Sequence, residues 1–434
     1  MANVPGSLRL NVFQSLVRQW ESLHPHNAAQ VLQIEGLADP ETCEFAWQTT
    51  LMDLGMGRVT TDGVYYWHEV WDGRPAPPLV DMPLIDTSIE QFLSTAINRP
   101  FARNTDLPYR PLILQKDGHY FMGIVYQQWV ADSVSIRLLL REWLLRVYQP
   151  HKAKHKLLPL AGGSPARGPA AGASPVRLLK GLTEAAVWLH RSRRLRRFPP
   201  ADQPSDLSLA FKLHTLPDGL IDQLLAYTRA EGVTFNDLLL AVLAPICHRH
   251  FPAEHPEQRP DLALATSVDL RPYTPADLSE TFGSLLAYTN ITCPAEDMGD
   301  FRRLLFGIAR QDRRIKDVRA LAARMMLMRF CERIGRHRVG RGLIDFYRRR
   351  IPITGAVTNV NLNRSWAVGF HPSPIMSYFR VSSPGPTVPF VLAASTLGSC
   401  LNIAMTWRPS MLKDDEAAQI AMEFTETLKS LASG

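Results

Sequence analysis

Cysteine is scarce in this sequence, and its spacing excludes the common cysteine-based sites. Five cysteines are spread over 434 residues, an odd number with no Cys-x-x-Cys pair. A disulfide framework or a structural zinc site needs paired or closely spaced cysteines. The sequence therefore predicts neither of these, no other metal site, and a protein of the reducing cytoplasm. The five are Cys43, Cys247, Cys293, Cys331 and Cys400.

A long apolar run is missing as well. Residues 1–6 lack the charged start and the apolar core of a signal peptide. The longest stretch without charge, residues 381–407, is interrupted by three prolines and by Gly398, which is typical of strands and turns rather than of a membrane span. With 46% hydrophobic and 21% charged residues, the composition is that of a soluble globular protein.

The motifs of three large enzyme classes are absent from the sequence. It has no serine hydrolase elbow, no P-loop and no Gly-x-Gly-x-x-Gly after a strand. The histidines offer no obvious replacement: His24 and His26 flank a proline, and His68 and His119 lie in strand-like runs. Because an isolated histidine is more often structural than catalytic, each is interpreted as structural rather than as a displaced base.

Positive charge is concentrated in one segment. The formal net charge is +7, and residues 177–197 hold seven Lys or Arg against one acidic residue, Glu184. Nucleic-acid binding needs basic residues spread along a face with aromatics between them, so no nucleic acid is predicted as a partner. Two interpretations remain. A helix around Trp188 rests peripherally on the anionic inner face of a membrane, or it packs on the protein and ends in a solvated basic tail.

The length of the chain fits two domains of ordinary size. Residues 1–150 alternate strand-like and helix-like patterns, which is typical of α/β structure. Residues 151–206 change character, with a Gly/Pro/Ala-rich linker followed by the basic amphipathic segment. Residues 207–434 return to alternating strands and helices. The sequence therefore predicts two lobes joined by a linker.

A short polar turn organises the rest of the sequence. A strand-like run over residues 120–126 precedes it, and an amphipathic helix over residues 135–148 follows it. A turn in this position presents its side chains beside a core when the helix opens with Asp or Ser. Here it carries two amides, Gln127 and Gln128, one carboxylate, Asp132, and no histidine.

This arrangement resembles the condensation-domain superfamily, which includes chloramphenicol acetyltransferase-like and CoA-dependent acyltransferases. The family signature is two histidines, three variable residues and Asp-Gly on a loop between a strand and a helix. In this sequence Gln127 and Gln128 stand in place of the histidines, Asp132 keeps the Asp, and Ser133 replaces the Gly. An upstream Pro-Phe segment at residues 100–101 is similar too, and the resemblance spans nearly the whole chain.

The resemblance implies an α/β fold of two chloramphenicol acetyltransferase-like lobes with mixed sheets and a central tunnel. An acyl thioester and an alcohol or amine would meet in the tunnel, beside Gln127 and Gln128 as candidate catalytic residues. The second family histidine acts as a general base or positions the nucleophile. Gln128 cannot accept a proton as an imidazole does, because an amide does not titrate near neutral pH.

Further site residues follow from the same resemblance. Asp132 is expected to be structural and to pair with Arg271 from the other lobe. Ser133 is expected to narrow the floor of the tunnel or to supply a hydroxyl. The expected tunnel residues are Trp129, Ser135, Gly283, Asn290, Thr358 and Asn359.

Two functions stay open at this point. The first is a stand-alone acyltransferase of lipid or secondary-metabolite biosynthesis with unusual site chemistry. It would have no resident cofactor, and its acyl substrate would come from CoA or from the phosphopantetheine of an acyl carrier protein. The second is a non-catalytic module that binds an acyl carrier, a partner enzyme or a membrane. The missing histidines favour the second, and the intact surroundings of the turn favour the first.

Overall fold

The structure of the protein is a computed structural model. It describes residues 7–73, 80–81, 87–102, 105–161, 190–197, 206–251, 257–364, 366 and 375–433.

The first lobe is built from seven strands and four helices of the described residues. In chain order these are β1 Leu8–Arg9, α1 Val12–Glu21, β2 Asn27–Glu35, α2 Pro40–Leu54, β3 Val59–Thr61, β4 Tyr65–His68, β5 Val80–Asp81, α3 Ile89–Asn98, β6 Tyr109–Lys116, β7 His119–Gln127 and α4 Ser133–Tyr148.

The later elements follow the basic segment. They are β8 Ala210–Thr215, α5 Leu220–Ala230, α6 Phe235–His250, β9 Leu262–Asp269, β10 Leu286–Cys293, α7 Phe301–Ile315, α8 Val318–Gly335, α9 Gly340–Arg350, β11 Gly355–Asn361, β12 Ile375–Val381, β13 Phe390–Leu397, β14 Cys400–Trp407 and α10 Asp414–Ser433.

Two mixed sheets form the centres of the lobes, as the sequence predicts. The first has the strand order β12-β2-β7-β6-β5 and the second β10-β9-β11-β13-β14-β8. In the first sheet only β5 and β6 run parallel, and in the second β11 runs parallel to both β9 and β13. A small third sheet, β1-β4-β3, lies apart from them.

One strand crosses from the later part of the chain to the first sheet. β12 pairs antiparallel with β2, with Arg380 opposite Gln30 and Phe379 opposite Val31. The predicted lobe boundaries, residues 1–150 and 207–434, take no account of this exchange. The first sheet is therefore complete only when residues near the end of the chain are in place.

Helix α4 packs its apolar face on the first lobe as its periodicity predicts. Ile136, Leu139 and Leu140 are fully buried, and Trp143 packs against Trp47 of α2 with ring centroids 5.1 Å apart. The helix begins at Ser133 rather than at residue 135, because Asp132 caps its first turn. This packing fixes the position of the turn that precedes the helix.

The Gly/Pro/Ala linker and the apolar side of the basic segment, including Trp188, lie outside the described residues. The end of that segment is described, and it packs on the second lobe: Arg194 pairs with Asp261, and Leu195 is fully buried. Among the described residues no single helix is both long and apolar enough to cross a membrane. Two helices joined at a bend, α5 and α6, would together be long and apolar enough, judged by length and composition alone.

Candidate functional site

Asp132 lies at the point where the two lobes meet. It is fully buried and caps α4, accepting hydrogen bonds from the backbone N–H groups of Val134 at 3.1 Å and Ser135 at 3.0 Å. It also accepts one from the backbone N–H of Leu285 in the second lobe, at 2.8 Å. A buried carboxylate with this many donors is held in one orientation.

Arg271 supplies the charge that balances this carboxylate. Its Nη1 donates to Asp132 Oδ2 at 2.7 Å and its Nη2 to Oδ1 at 3.1 Å, so the pair is bidentate. Burial alone would raise the pKa of Asp132, but Arg271 and the backbone donors outweigh it, and the pKa lies below its ordinary value. The ion pair expected between Asp132 and Arg271 is present.

Ser135 and Gly283 complete this contact. The Ser135 hydroxyl donates to the Gly283 carbonyl at 2.7 Å and accepts from the Gly283 N–H at 3.0 Å. Gly283 has a φ of +146°, and a Cβ there would lie 2.8 Å from the Cβ of Ala161. Asp132, Ser135, Arg271 and Gly283 are called the junction below. The structure places Ser135 and Gly283 in the junction rather than along a tunnel.

Gln127 and Gln128 have different surroundings. Gln127 lines an outer groove of about 400 Å³ together with Trp129, and its Nε2 lies 3.5 Å from Glu21 Oε1. The backbone N–H of Gln128 donates to the backbone carbonyl of His26 at 3.3 Å. The side-chain Oε1 of Gln128 is buried and has no hydrogen-bond partner among the described residues.

His26 lies beside Gln128 because of the register of the sheet. Asn27 pairs with Gln127, so the residues one step beyond face each other. The ring of His26 is 2% exposed and packs edge-on against Trp20, with centroids 5.3 Å apart. Burial lowers the pKa of His26 to about 3, so the imidazole is neutral near neutral pH. Within the described chain its Nε2 makes no hydrogen bond of good geometry, but the side chain of Gln128 lies close enough to favour the charged ring, against the larger effect of burial on the pKa.

An apolar cavity of about 170 Å³ lies on the far side of Trp20, between α1 and the second lobe. Trp20, Tyr288 and Met328 contribute to its walls, and Asn290 is one of its polar lining residues. The assignment of Asn290 to a substrate tunnel stays a prediction. Trp20 is the residue that connects this cavity to the motif, because it lines the cavity and also packs on His26.

Solved structures of condensation domains are similar to this chain over nearly its whole length. The first condensation domain of the calcium-dependent antibiotic synthetase, in complex with a substrate analogue, matches with a TM-score of 0.69 and 16% identity, over 99% of this chain and 97% of that chain. The chain has the condensation-domain fold. No protein-family model matches the sequence, and no curated protein matches it.

Other proteins with the condensation-domain fold match over similar lengths. The epimerization domain from the third module of tyrocidine synthetase B gives a TM-score of 0.66 and 13% identity, over 99% of this chain and 97% of that chain. The X-domain from teicoplanin biosynthesis gives 0.61 and 16%, over 100% and 96%. At these identities the likeness concerns the fold alone.

The remaining tunnel residues of this condensation-domain fold lie in separate places. Trp129 faces the outer groove, where Arg18 stacks on its ring at 4.8 Å. Thr358 on β11 lies 3.4 Å from Nη2 of Arg380. Asn359 on the same strand has a buried Oδ1 without a hydrogen-bond partner in the described part of the chain. The structure therefore does not gather all expected tunnel residues around one cavity.

Ser133 contributes its backbone to the condensation-domain turn. Its carbonyl accepts a hydrogen bond from Nε2 of Gln30 at 2.9 Å, and Gln30 Oε1 accepts one from the hydroxyl of Tyr378 at 2.7 Å. These two hydrogen bonds connect the motif turn to β12. The expectation that the Ser133 side chain narrows the tunnel or supplies a hydroxyl stays a prediction.

Sequence reasoning missed three polar residues near the motif: His26, Gln30 and Arg380. None of them belongs to a recognisable motif. Each is brought there by strand pairing, His26 and Gln30 on β2 and its start, Arg380 on β12. The sequence signal that could have identified them is a polar residue on an otherwise apolar strand, because such a residue needs a partner when it is buried.

Proposed function

We propose that the protein transfers an acyl group from a CoA or carrier-protein thioester to an amine or alcohol, with amines preferred. The observation that supports this is the buried Oε1 of Gln128, which lies at the position of the second family histidine with only the side chain of His26, among the described residues, acting on it. An amide oxygen can accept a hydrogen bond from an acceptor N–H and orient its lone pair toward the thioester carbon.

The reaction needs no basic side chain when the acceptor is an amine. The nitrogen lone pair of the neutral amine attacks the thioester carbonyl carbon, and the C–S bond breaks as the amide C–N bond forms. The nitrogen proton passes to the departing thiolate, directly or through water, so the products are an amide and a free thiol. An alcohol is a poorer substrate here because it must lose its proton during attack.

The acyl group has a place beside this position. The cavity bounded by Trp20, Tyr288 and Met328 is apolar, and Trp20 also packs on His26, whose carbonyl accepts a hydrogen bond from the backbone N–H of Gln128. Burial of an acyl chain there is favourable by about 0.8 kcal/mol for each methylene. The proposed arrangement has the chain in the cavity and the thioester carbon at its inner end, facing Gln128.

The decisive experiment is product detection by mass spectrometry with a panel of acyl-CoA and acyl carrier protein donors and small amines. Gln128→Ala should lower the rate about tenfold or more, because orientation of the amine is lost. Gln127→Ala, which changes the neighbouring glutamine in the outer groove, is the matched control and should leave the rate unchanged. Equal rates for wild type and Gln128→Ala would remove Gln128 from the reaction.

The pH dependence gives a second test of the same proposal. Because the pKa of His26 lies at about 3, no imidazole at this position changes charge near neutral pH. The rate should rise with pH until the acceptor amine is deprotonated, and the midpoint should follow the amine when amines of different pKa are compared. A midpoint that stays fixed across amines would point to a titrating group of the protein.

A non-catalytic binding module is the second candidate function. The observation that favours it is the absence of a group that could act as a base near neutral pH, since both motif positions carry amides and His26 is buried. One X-domain of this fold has been solved in complex with OxyB. Under this alternative, no combination of acyl donor and amine gives a product. The immobilised protein instead retains an acyl carrier protein or a partner enzyme.

Peripheral membrane contact through residues 177–197 is a separate proposal. The described end of the segment uses Arg194 and Arg196 in contacts with the second lobe, so these side chains are engaged with the protein. Salt-sensitive co-sedimentation with anionic vesicles, together with a blue shift of Trp188 fluorescence, would support membrane contact. Equal recovery with neutral and anionic vesicles would contradict it.

A further inference from the structure

A second buried arginine lies near the motif turn, and it has no carboxylate. Arg380 on β12 is 4% exposed. Its Nη2 reaches Thr358 Oγ1 and the Ala394 carbonyl, each at the long distance of 3.4 Å. Its Nε has no hydrogen-bond partner among the described residues. These are two long hydrogen bonds for a buried guanidinium that has five N–H donors.

The groups around Arg380 do not balance its charge. Burial lowers the pKa of Arg380, and the titratable groups that act on it are Tyr378, Arg137 and Tyr126. The two phenols are neutral, since burial raises the pKa of each. A buried cation beside a second cation is unfavourable unless an anion joins it.

Arg137 connects this position to the protein surface. It lies on α4, interacts with the Tyr378 side chain, and has a buried Nη1 without a hydrogen-bond partner in the described chain. It also lines an outer cleft of about 780 Å³, opposite residues 269–280. A small anion that enters the cleft therefore meets Arg137, which is close enough to Arg380 to act on its charge.

Arg380 lies on the same face of the first sheet as Gln128. Arg380 pairs with Gln30, which pairs with Ile124, four residues before Gln128. At about 3.4 Å per residue these rows are about 14 Å apart, and β12 is offset from β7 by two strands, or about 10 Å; the long arginine side chain can shorten this separation. A molecule with its reacting group at Gln128 can thus extend toward Arg380.

We propose that Arg137 and Arg380 bind a carboxylate carried by the acceptor, so that the substrate class is an amine with a carboxylate several bonds away. This rests on the proposed function for the reacting amine, whereas the carboxylate site stands on the arginines alone. Two guanidinium groups offer N–H donors in the fork geometry that a carboxylate accepts. The acceptor would enter from the cleft, and the acyl chain from the apolar cavity.

A carboxylate suits the position better than a phosphate. The apolar strand positions Ile124 and Ala28 flank the cluster, and both are buried. Dehydration cost rises steeply with the charge of an ion, so a dianion would lose more on entering such surroundings than a monoanion.

Binding can be measured without any turnover. Calorimetry with β-alanine, γ-aminobutyrate and ε-aminocaproate, with the neutral ε-aminocaproamide and with inorganic phosphate, tests the charge and the length of the ligand. At least one amino acid should bind, and its amide should not. Arg380→Met should weaken binding by about thirtyfold or more, the effect of removing one partner of a buried charge pair. Arg137→Gln should weaken it in the same direction.

Arg141→Gln is the matched control, because it changes an arginine of the same helix and cleft outside the proposed site. It should bind the amino acid as wild type does. If Arg380→Met does not fold, the same binding measurements are made with Arg380→Lys and Arg137→Gln. Equal binding of amide and amino acid, no binding by any member of the series, or tighter binding of phosphate would each overturn the proposal.

Product analysis separates this inference from the proposed function. Carboxylate binding without any acyl transfer would keep the arginine site and remove the acyltransferase. Transfer at equal rates to ε-aminocaproate and to ε-aminocaproamide, unchanged by Arg380→Met, would keep the acyltransferase and remove the carboxylate site.

Discussion

Two polar regions lie on either side of the motif turn, and they differ in how completely their atoms are paired. In the junction, the carboxylate of Asp132 and the guanidinium of Arg271 each have several partners. On the inner face of the first sheet, four buried polar atoms have no hydrogen-bond partner among the described residues. They belong to His26, Gln128, Arg137 and Arg380, which we call the unpaired face.

The difference separates a structural role from a binding role. Full pairing makes the junction a rigid contact between the lobes, with nothing left to offer a ligand. The unpaired face lowers the stability of the empty protein and is satisfied only when another molecule supplies donors and acceptors. Arg271 and Arg380 illustrate this, since both are buried arginines and only the first faces a carboxylate.

The largest expected effect is in the junction. Asp132→Ala removes the partner of a buried arginine and leaves its charge uncompensated. We expect the free energy of unfolding to fall by about 3–5 kcal/mol, measured by urea denaturation. Asp277→Ala, at an exposed carboxylate nearby, should change it by less than about 0.5 kcal/mol. An Asp132→Ala protein as stable as wild type would contradict a structural junction.

Gly283 offers a smaller disruption of the same contact. Gly283→Ala places a Cβ against Ala161 at a backbone φ of +146°, which an L-residue adopts with strain. We expect a loss of about 1–3 kcal/mol. Gly299→Ala is the control, because a Cβ there has open space around it. If Gly283→Ala had the same free energy of unfolding as wild type, the junction would be less rigid than its hydrogen bonding suggests.

The unpaired face should show itself in the pH dependence of stability. In the unfolded chain His26 takes up a proton below pH 6.5, its ordinary value, whereas in the folded chain burial delays this to about pH 3. The free energy of unfolding therefore falls as the pH falls through that interval. His26→Asn should flatten the slope between pH 6.5 and 4. An unchanged slope in His26→Asn would show that His26 is not buried as a neutral ring.

The smallest expected effect on stability is at Gln128. Gln128→Met removes a buried amide oxygen that makes no hydrogen bond of good geometry, so the protein should be as stable as wild type or more stable by up to about 1 kcal/mol. Gln30→Met removes an amide that is bonded at both ends, and it should cost about 1–3 kcal/mol. Equal losses for both would mean that Gln128 is paired in solution.

The sequence was sufficient for the junction and insufficient for the unpaired face. Asp132 was visible as the cap of an amphipathic helix, and Arg271 at a strand end was implied by the resemblance. Both features are local in the sequence or tied to a motif. The two mixed sheets were likewise expected from the alternation of strands and helices.

The unpaired face depends on pairings between distant strands, which a single sequence does not reveal. From the sequence His26 was interpreted only as a structural histidine beside Pro25, and the register of β2 with β7 is what places it against Gln128. Arg380 belongs by sequence to the second half, yet β12 pairs with the first sheet. The register between distant strands cannot be predicted from the composition or from the hydrophobic periodicity of one segment.

The crossing of β12 also governs how the protein can fold. Until residues 375–381 arrive, β2 is an edge strand whose N–H and C=O groups are free to pair with another chain. Such long-range pairing closes late, because the intervening loop must be ordered first. A fragment that ends after α4 would therefore expose an open edge and tend to aggregate, and a nascent chain would pass through that state during synthesis.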